Sequence, residues 1–371
     1  MRLSDFDYDL PKELIAQAPV EGRSGSRMMV VNGENVSHKN FTDFVDYLNA
    51  GDVLVLNDTK VIPARLLAAR NNNTQRNSAA KGAAIEIFLL KPLEGAKWSA
   101  LIRNSRRLKI GEEIIILPAS RQACAPQLTG SSQKAPSLTV KIIEKGQEAT
   151  VELIHAANQN IYEILNEIGQ VPLPPYVSRP ASSRDAETYQ TVFAQQPGSV
   201  AAPTAGLHFT REILSQIEKK GIKIAYITLM VGLGTFLPVE TENIKEHKMH
   251  FESFTIPPET ATAINEAHGK IIAVGTTVVR TLEATYQKHG KIIPTTDETN
   301  IFIYPPFEFK VVNKLLTNFH LPKSTLLMLV SAFAGKENIF HAYDEAVRQK
   351  YRFFSYGDCM LLAGVKRRDG R

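Results

Sequence analysis

The hydrophobic period of this chain changes twice, and that change constrains the fold more than any other feature. Between residues 84 and 156 short runs alternate apolar and polar: IEIFLL, WSALI, EEIIIL, and then LTVKIIEKGQEATVELI, two strands about a Lys-Gly-Gln turn. Alternation sends one face of each strand to a core and the other to water, and this many short strands predict a small, barrel-like β unit. On either side the pattern differs. Residues 52–56 (DVLVL), 222–230 (IKIAYITLM) and 271–274 are apolar runs of buried-strand type, while 211–220 and 258–268 have helical spacing and stop at glycine. The expected fold class is therefore α/β: a layered α/β main domain, residues 1–61 and 157–371, with a small β-barrel domain, residues 62–156, inserted after the DVLVL strand. Two polar, low-complexity stretches, 71–82 and 118–137, read as mobile barrel loops. Proline-rich VPLPPYVSRP at 171–180 reads as an extended connector that lines a site.

With 371 residues there is ample material for two cores. The N-terminus has no apolar segment of signal-peptide type, and the longest apolar run, 326–334, is about half of the ~20 residues a membrane span needs. Cys124 and Cys359 are the two cysteines, too few and too far apart in sequence for a disulfide framework or a CxxC motif. A cytoplasmic protein with no membrane association is the expectation. Charge is unevenly spread: residues 60–109 hold eleven Lys or Arg against Glu86 and Glu94, a local +9 in a chain of net +5, which leaves the remainder at −4. Such a concentration suits a polyphosphate partner, because cations on phosphates release counterions; a solvated basic face is the other reading.

Six polar segments interrupt the scaffold where folding alone does not require them. Asn57-Asp58-Thr59-Lys60 follows the DVLVL strand, where residues meet ligand or simply turn. The run 198–210, GSVAAPTAGLHFT, brings Thr204, Ala205, Gly206 and His208 up to a helix whose N-cap is Thr210. Gly232, Gly234 and Thr235 lie in VGLGTF, which lacks the third glycine of a dinucleotide fingerprint. Gly275, Thr276 and Thr277 form a small-residue turn between strand and helix, a geometry that presents backbone N–H groups and hydroxyls to a polar ligand. Arg280 and Glu283 read as a surface pair one turn apart. TNFHLPKST at 317–325 and FSYGD at 354–358 complete the set.

The stretch 246–252, EHKMHFE, raises the question of a metal. On a helix His247 and His250 would share a face and chelate. HFESFTI alternates and ends at Pro257-Pro258, so a strand from His250 is the better reading; it separates the two histidines and puts His250 and Glu252 on one face. With no HExxH and no cysteine nearby, no metal site is expected, and a His–Glu pair for proton transfer or ligand orientation is.

Taken together, the runs YDLPKELIAQAPVEGRSGSRMMV (8–30), LVLNDTKVIPARL (54–66), GSVAAPTAGLHFT (198–210), TLMVGLGTFLPV (228–239), EHKMHFESF (246–254), IIAVGTTVVRTLE (271–283), LLTNFHLPKSTLLMLVSAFAG (315–335) and FFSYGDCMLL (353–362) closely resemble the S-adenosylmethionine:tRNA ribosyltransferase-isomerases of queuosine biosynthesis. The resemblance spans nearly the whole chain in order. It implies an α/β domain carrying an inserted β-barrel. It also implies S-adenosylmethionine as a consumed co-substrate, no metal or redox cofactor, and tRNA with a GUN anticodon carrying 7-aminomethyl-7-deazaguanine as acceptor. The implied products are epoxyqueuosine-tRNA, adenine and methionine. Two departures are visible: the loops 71–82 and 118–137 look long for the family, and Met28-Met29 replace commoner leucines.

On this reading His208, His250 and His320, with Glu252, are the candidate acid–base groups, histidine being the side chain that changes charge near neutral pH. The donor pocket is expected from Thr204, Ala205, Gly206, Gly232, Gly234, Thr235, Gly275, Thr276, Thr277, Asn318, Phe319, Ser324 and Thr325. Lys60, Arg65, Arg103, Arg106 and Arg107 are the expected tRNA contacts. No obligate protein partner is evident, and a monomer is expected. Three other classes compete: a metal hydrolase, which needs a third ligand; an RNA-binding module, which leaves the donor intact; and a methyltransferase, which releases S-adenosylhomocysteine and no adenine.

Overall fold

The unbroken apolar runs become the centre of a sheet covered on both faces. A computed structural model of the chain describes residues 1–68, 85–105, 108–116, 138–232 and 239–364. Its main sheet has nine strands in the order Thr295–Thr299, Glu252–Ile256, Lys223–Leu229, Val53–Asn57, Ile271–Val274, Lys314–Asn318, Cys359–Ala363, Arg27–Asn32 and Asn35–Asn40. The four strands from Lys223–Leu229 to Lys314–Asn318 are mutually parallel. Val53 and Val55 pack on one face with Val278, Val279 and Leu282 of the helix Thr276–His289. Leu54 and Leu56 pack on the other with Phe41, Phe44 and with Ile213 and Ile217 of the helix Arg211–Lys219. A strand buried on both faces has no polar positions to alternate, which is why DVLVL carries no period. Truncating Leu54 or Leu56 to alanine in such a core costs about 2–5 kcal/mol.

Local chemistry sets the helix starts. Thr210 accepts a hydrogen bond from the Ile213 N–H and Ser324 one from the Leu327 N–H, each satisfying a donor that the first helical turn leaves open. Gly275, at φ 90°, makes the turn from strand into the helix Thr276–His289, a conformation that side chains disfavour.

The inserted unit is a six-stranded antiparallel sheet in the order Arg65–Ala68, Ile85–Pro92, Lys97–Arg103, Ala149–Ile154, Leu138–Glu144 and Glu113–Ile116, and its first and last strands meet again, nearly closing a barrel. Ile85, Ile87, Leu89, Val140, Ile142, Val151 and Leu153 alternate inward as their spacing predicts. The helix Ile161–Ile168, which lies beyond residue 156, buries Ile164, Leu165 and Ile168 in the same core. The loops 71–82 and 118–137 lie outside the described residues. No helix among the described residues is long and apolar enough to cross a membrane.

One expected element is shorter. The strand read from His250 begins at Glu252, and His250 lies before it, exposed. The pleat therefore does not dictate the directions of His247 and His250, and both line the same hollow.

Candidate active site

Parallel strands deliver their carboxyl ends to one edge of a sheet, and ligands gather there. Here that edge receives Asn57, Met230-Val231, Gly275-Thr276-Thr277 and Asn318-Phe319-His320 from the four central strands. Around it lies a cavity of ≈ 410 Å³, walled by Thr204 and Ala205, by Gly275 to Thr277, by Thr317 to Ser324, and by Tyr176, Phe354 and Ser355. Tyr176, from the proline-rich connector, stacks on Phe354 with ring centroids 4.3 Å apart.

The wall is held by a buried polar network. The Thr204 hydroxyl donates to Asn318 Oδ1 at 2.8 Å, and Asn318 Nδ2 donates to His208 Nε2 at 3.2 Å. Because that nitrogen accepts, the proton of the neutral ring sits on Nδ1, 2.9 Å from the Ser26 hydroxyl. Burial, reinforced by the charge of Arg352, lowers the His208 pKa to about 4, so the ring is uncharged at neutral pH. His320, in the cavity wall, has Nε2 3.0 Å from the Thr317 hydroxyl; burial lowers its pKa to about 3. Its backbone is pinned as well, with the N–H donating to the Tyr343 hydroxyl and the carbonyl accepting from that of Tyr8. Asn57 ties the strand ends together: Oδ1 accepts from the Leu229 N–H at 3.0 Å, and Nδ2 donates to the Leu229 carbonyl at 3.1 Å and reaches Thr277 Oγ1 at 3.4 Å. Asp58 Oδ1 accepts from Thr228 Oγ1, and burial raises its pKa.

Beside the cavity a small hollow is lined by His247, Met249, His250, Glu252, Arg280, Phe302, Thr325 and Leu326 among others. Glu252 Oε2 pairs with Arg280 Nη1, and Oε1 accepts from the Gly232 N–H at 3.2 Å. Burial, with the neighbouring His250, lowers the pKa of His247. Among the described residues no three His, Cys, Asp or Glu side chains gather into a group suited to a metal ion. A groove of ≈ 1150 Å³ runs between the barrel, at Leu90 to Leu93, Leu101, Glu148 and Tyr162, and the sheet edge, at Met230 to Gly232 and Lys248 to Ser253. Val231 belongs to the walls of both groove and cavity.

Comparison with known proteins decides the family. The family model described as "Queuosine biosynthesis protein" matches residues 3–362. The chain belongs to this queuosine biosynthesis family. It is 52% identical to a protein named S-adenosylmethionine:tRNA ribosyltransferase-isomerase from a Sulfurihydrogenibium species, over 98% of this chain and 100% of that one. A protein of the same name from Acetivibrio thermocellus is 47% identical with the same coverage. The crystal structure of the S-adenosylmethionine tRNA ribosyltransferase of Thermotoga maritima is similar at 37% identity and a TM-score of 0.50, covering 96% of this chain and 99% of that one.

Within this family member the structure brings most of the expected site together. Thr204, Ala205, Gly275, Thr276, Thr277, Asn318, Phe319, His320 and Ser324 border one cavity, and Thr325 borders the hollow beside it. Gly232 lines the groove. Gly206 is a packing glycine: a Cβ there would stand 2.8 Å from Phe193 and 2.9 Å from Thr191. His208 lies behind the cavity wall, in a separate recess with Ser26, Arg23 and Tyr356. His250 and Glu252 share the hollow and the groove, but the bonds of Glu252 go to Arg280 and Gly232 in place of the expected His250 partnership. Gly234, Thr235, Arg106 and Arg107 lie outside the described residues. Lys60 and Arg103 are exposed, while Arg65 is tied to Glu86 at 2.9 Å.

Arg280 and Glu283 are not a surface pair. Both are buried; Arg280 meets Glu252, and Glu283 accepts N–H bonds from Lys310, Val311 and Val312. Their i,i+3 spacing matches a surface pair as well as a buried one, and the strand that supplies the partner of Arg280 is twenty-eight residues away in sequence. Ser355 and Phe354 are cavity residues that sequence reading left as part of a turn.

Proposed function

We infer that this protein transfers and isomerises the ribosyl moiety of S-adenosylmethionine onto 7-aminomethyl-7-deazaguanine at the wobble position of tRNA, releasing epoxyqueuosine-tRNA, adenine and methionine. The observation that carries this reading is the shared wall at Val231: an adenosyl-sized cavity at the strand ends adjoins a larger groove between sheet edge and barrel. We place the donor in the cavity and the tRNA acceptor in the groove. The target base leaves its stack to reach the donor, at a cost of a few kcal/mol. A tRNA substrate puts the reaction in the cytoplasm, and the donor supplies its own leaving groups, so no further cofactor is called for.

The sulfonium acidifies the adjacent 5′ carbon of the donor. Loss of that proton starts the rearrangement; methionine departs with the sulfur, adenine departs with a proton on a ring nitrogen, and the acceptor amine bonds to the ribosyl carbon skeleton. His320 enters as a neutral acceptor in the cavity wall, since burial leaves it no proton at neutral pH to give. His208 is a positioning residue: both ring nitrogens are engaged, and its work is to hold Asn318 against Thr204. His250, exposed at the mouth shared by hollow and groove, exchanges protons with solvent beside the acceptor. The barrel, residues 62–156 with the helix Ile161–Ile168 in its core, contributes Lys60, Arg65 and Arg103 near the tRNA backbone.

Incubating the purified protein with S-adenosylmethionine and tRNA bearing the deazaguanine base tests this. Adenine and methionine in equal amounts, dependent on both substrates, are the expected products. S-adenosylhomocysteine without adenine would make it a methyltransferase, and tRNA binding with an intact donor would make it a binding module.

A further inference from the structure

Arg280 is 5% exposed, and its charge is only half explained. Nη1 meets Glu252, but Nε and Nη2 have no hydrogen-bond partner among the described residues. Buried donors left open are costly, and a buried guanidinium more so, unless something completes them. The open nitrogens lie on one edge of the planar group with parallel N–H bonds, the geometry that meets both oxygens of a carboxylate. Arg280 lines the hollow beside the cavity, and so do Thr325 and Leu326. These are the first two residues of the ten-residue helix Thr325–Ala334, whose opening N–H groups have no intrahelical partner and sit at the positive end of its dipole. The Ser324 hydroxyl caps Leu327 and leaves those two open.

We propose that the Nε/Nη2 edge of Arg280 and the first turn of the helix Thr325–Ala334 form a subsite for the carboxylate of the methionyl arm of the donor. Size selects this ligand. The hollow measures ≈ 20 Å³, and a water-sized atom needs roughly 10–15 Å³ of such space, so it takes the two oxygens of a carboxylate and not a sugar-phosphate unit. Reach agrees. Leu326 is in both walls, Ser324 in the cavity precedes Thr325 in the hollow, and Thr277 in the cavity lies one helical turn from Arg280. A donor with its adenosyl part in the cavity therefore extends its carboxylate to this edge, while Glu252 holds the guanidinium from the other side. The proposal rests on the donor-binding reading above.

Calorimetry with S-adenosylmethionine and with its decarboxylated analogue separates the two. The intact protein should bind the carboxylate-bearing donor about 10- to 100-fold tighter, the effect of a charged hydrogen-bonded pair. R280K keeps a cation beside Glu252 but lacks the fork, and should lose most of that ratio. Equal binding of the two ligands by the wild type, with adenine release intact, overturns the subsite alone and leaves a structural water as the occupant; this arm needs no variant. A full ratio retained in R280K also overturns it. Failure of the wild type to bind either ligand or to release adenine takes down the donor reading and the subsite together.

Discussion

Two buried polar clusters stand at the same edge of the sheet. Around Asn318 both ends of the amide and both nitrogens of His208 are bonded, whereas around Arg280 two N–H groups remain open. A satisfied network fixes a wall, because any rearrangement breaks several bonds at once. An unsatisfied one is capacity for a ligand. The contrast assigns different work to groups that look alike in sequence: His208 shapes the cavity, and Arg280 receives something in it.

The sharpest break of this contrast is at Asn318. Asn318→Leu strips the acceptor from Thr204 and the donor from His208, leaving buried polar atoms unpaired. A loss of about 1–3 kcal/mol in urea unfolding is expected, with kcat/KM for adenine release down by roughly 100-fold as the wall shifts. Full activity in a folded N318L protein would mean that the network is packing and nothing more.

Acid tests the same cluster by another route. The folded-state pKa values of His208, about 4, and His320, about 3, lie below the ordinary value of 6.5. The unfolded chain thus takes up protons first as pH falls. The stabilisation from keeping the rings neutral is complete above about pH 6.5, is lost as pH drops through the window below it, and levels off near the folded values. Between pH 7 and pH 5 each ring should cost on the order of 2 kcal/mol of unfolding free energy. His208→Gln should remove its share of that slope, as read from urea midpoints at the two pH values. A flat wild-type profile would show that these rings are not held neutral.

The smallest effect belongs to the barrel surface. Arg103, 78% exposed, stands 3.6 Å from Glu86 and contributes little to folding. Arg103→Glu should leave stability within about 0.5 kcal/mol while weakening tRNA binding and lowering the salt dependence of log Kd by roughly one phosphate contact. An unchanged salt slope would take this strand of the barrel out of the tRNA interface.

Much of the fold was legible because period reports burial. Alternation marked the barrel strands, unbroken apolar runs marked the strands buried on both faces, and Thr210 and Gly275 marked where helices begin. The cavity wall was legible for a related reason: small and polar residues directly after a buried strand have no packing role, so Thr277 and Asn318 stood out. What stayed hidden depends on contacts distant in sequence. Nothing near Arg280 announces that Glu252 will meet it, and the i,i+3 spacing to Glu283 points to the wrong partner. His208 looked like an acid–base group because its type is suited to that, yet Ser26, 182 residues away, takes one nitrogen and Asn318 the other. Two residues before a five-residue strand, alternation lost its grip on His250 as well.

A crystal structure of the protein with S-adenosylmethionine bound tests the whole arrangement at once. The expected result has the adenosyl group in the ≈ 410 Å³ cavity, within hydrogen-bond reach of Thr277 or Asn318, and the methionyl carboxylate against Nε and Nη2 of Arg280. A donor seated in the groove between barrel and sheet, with the cavity left to solvent, would contradict it.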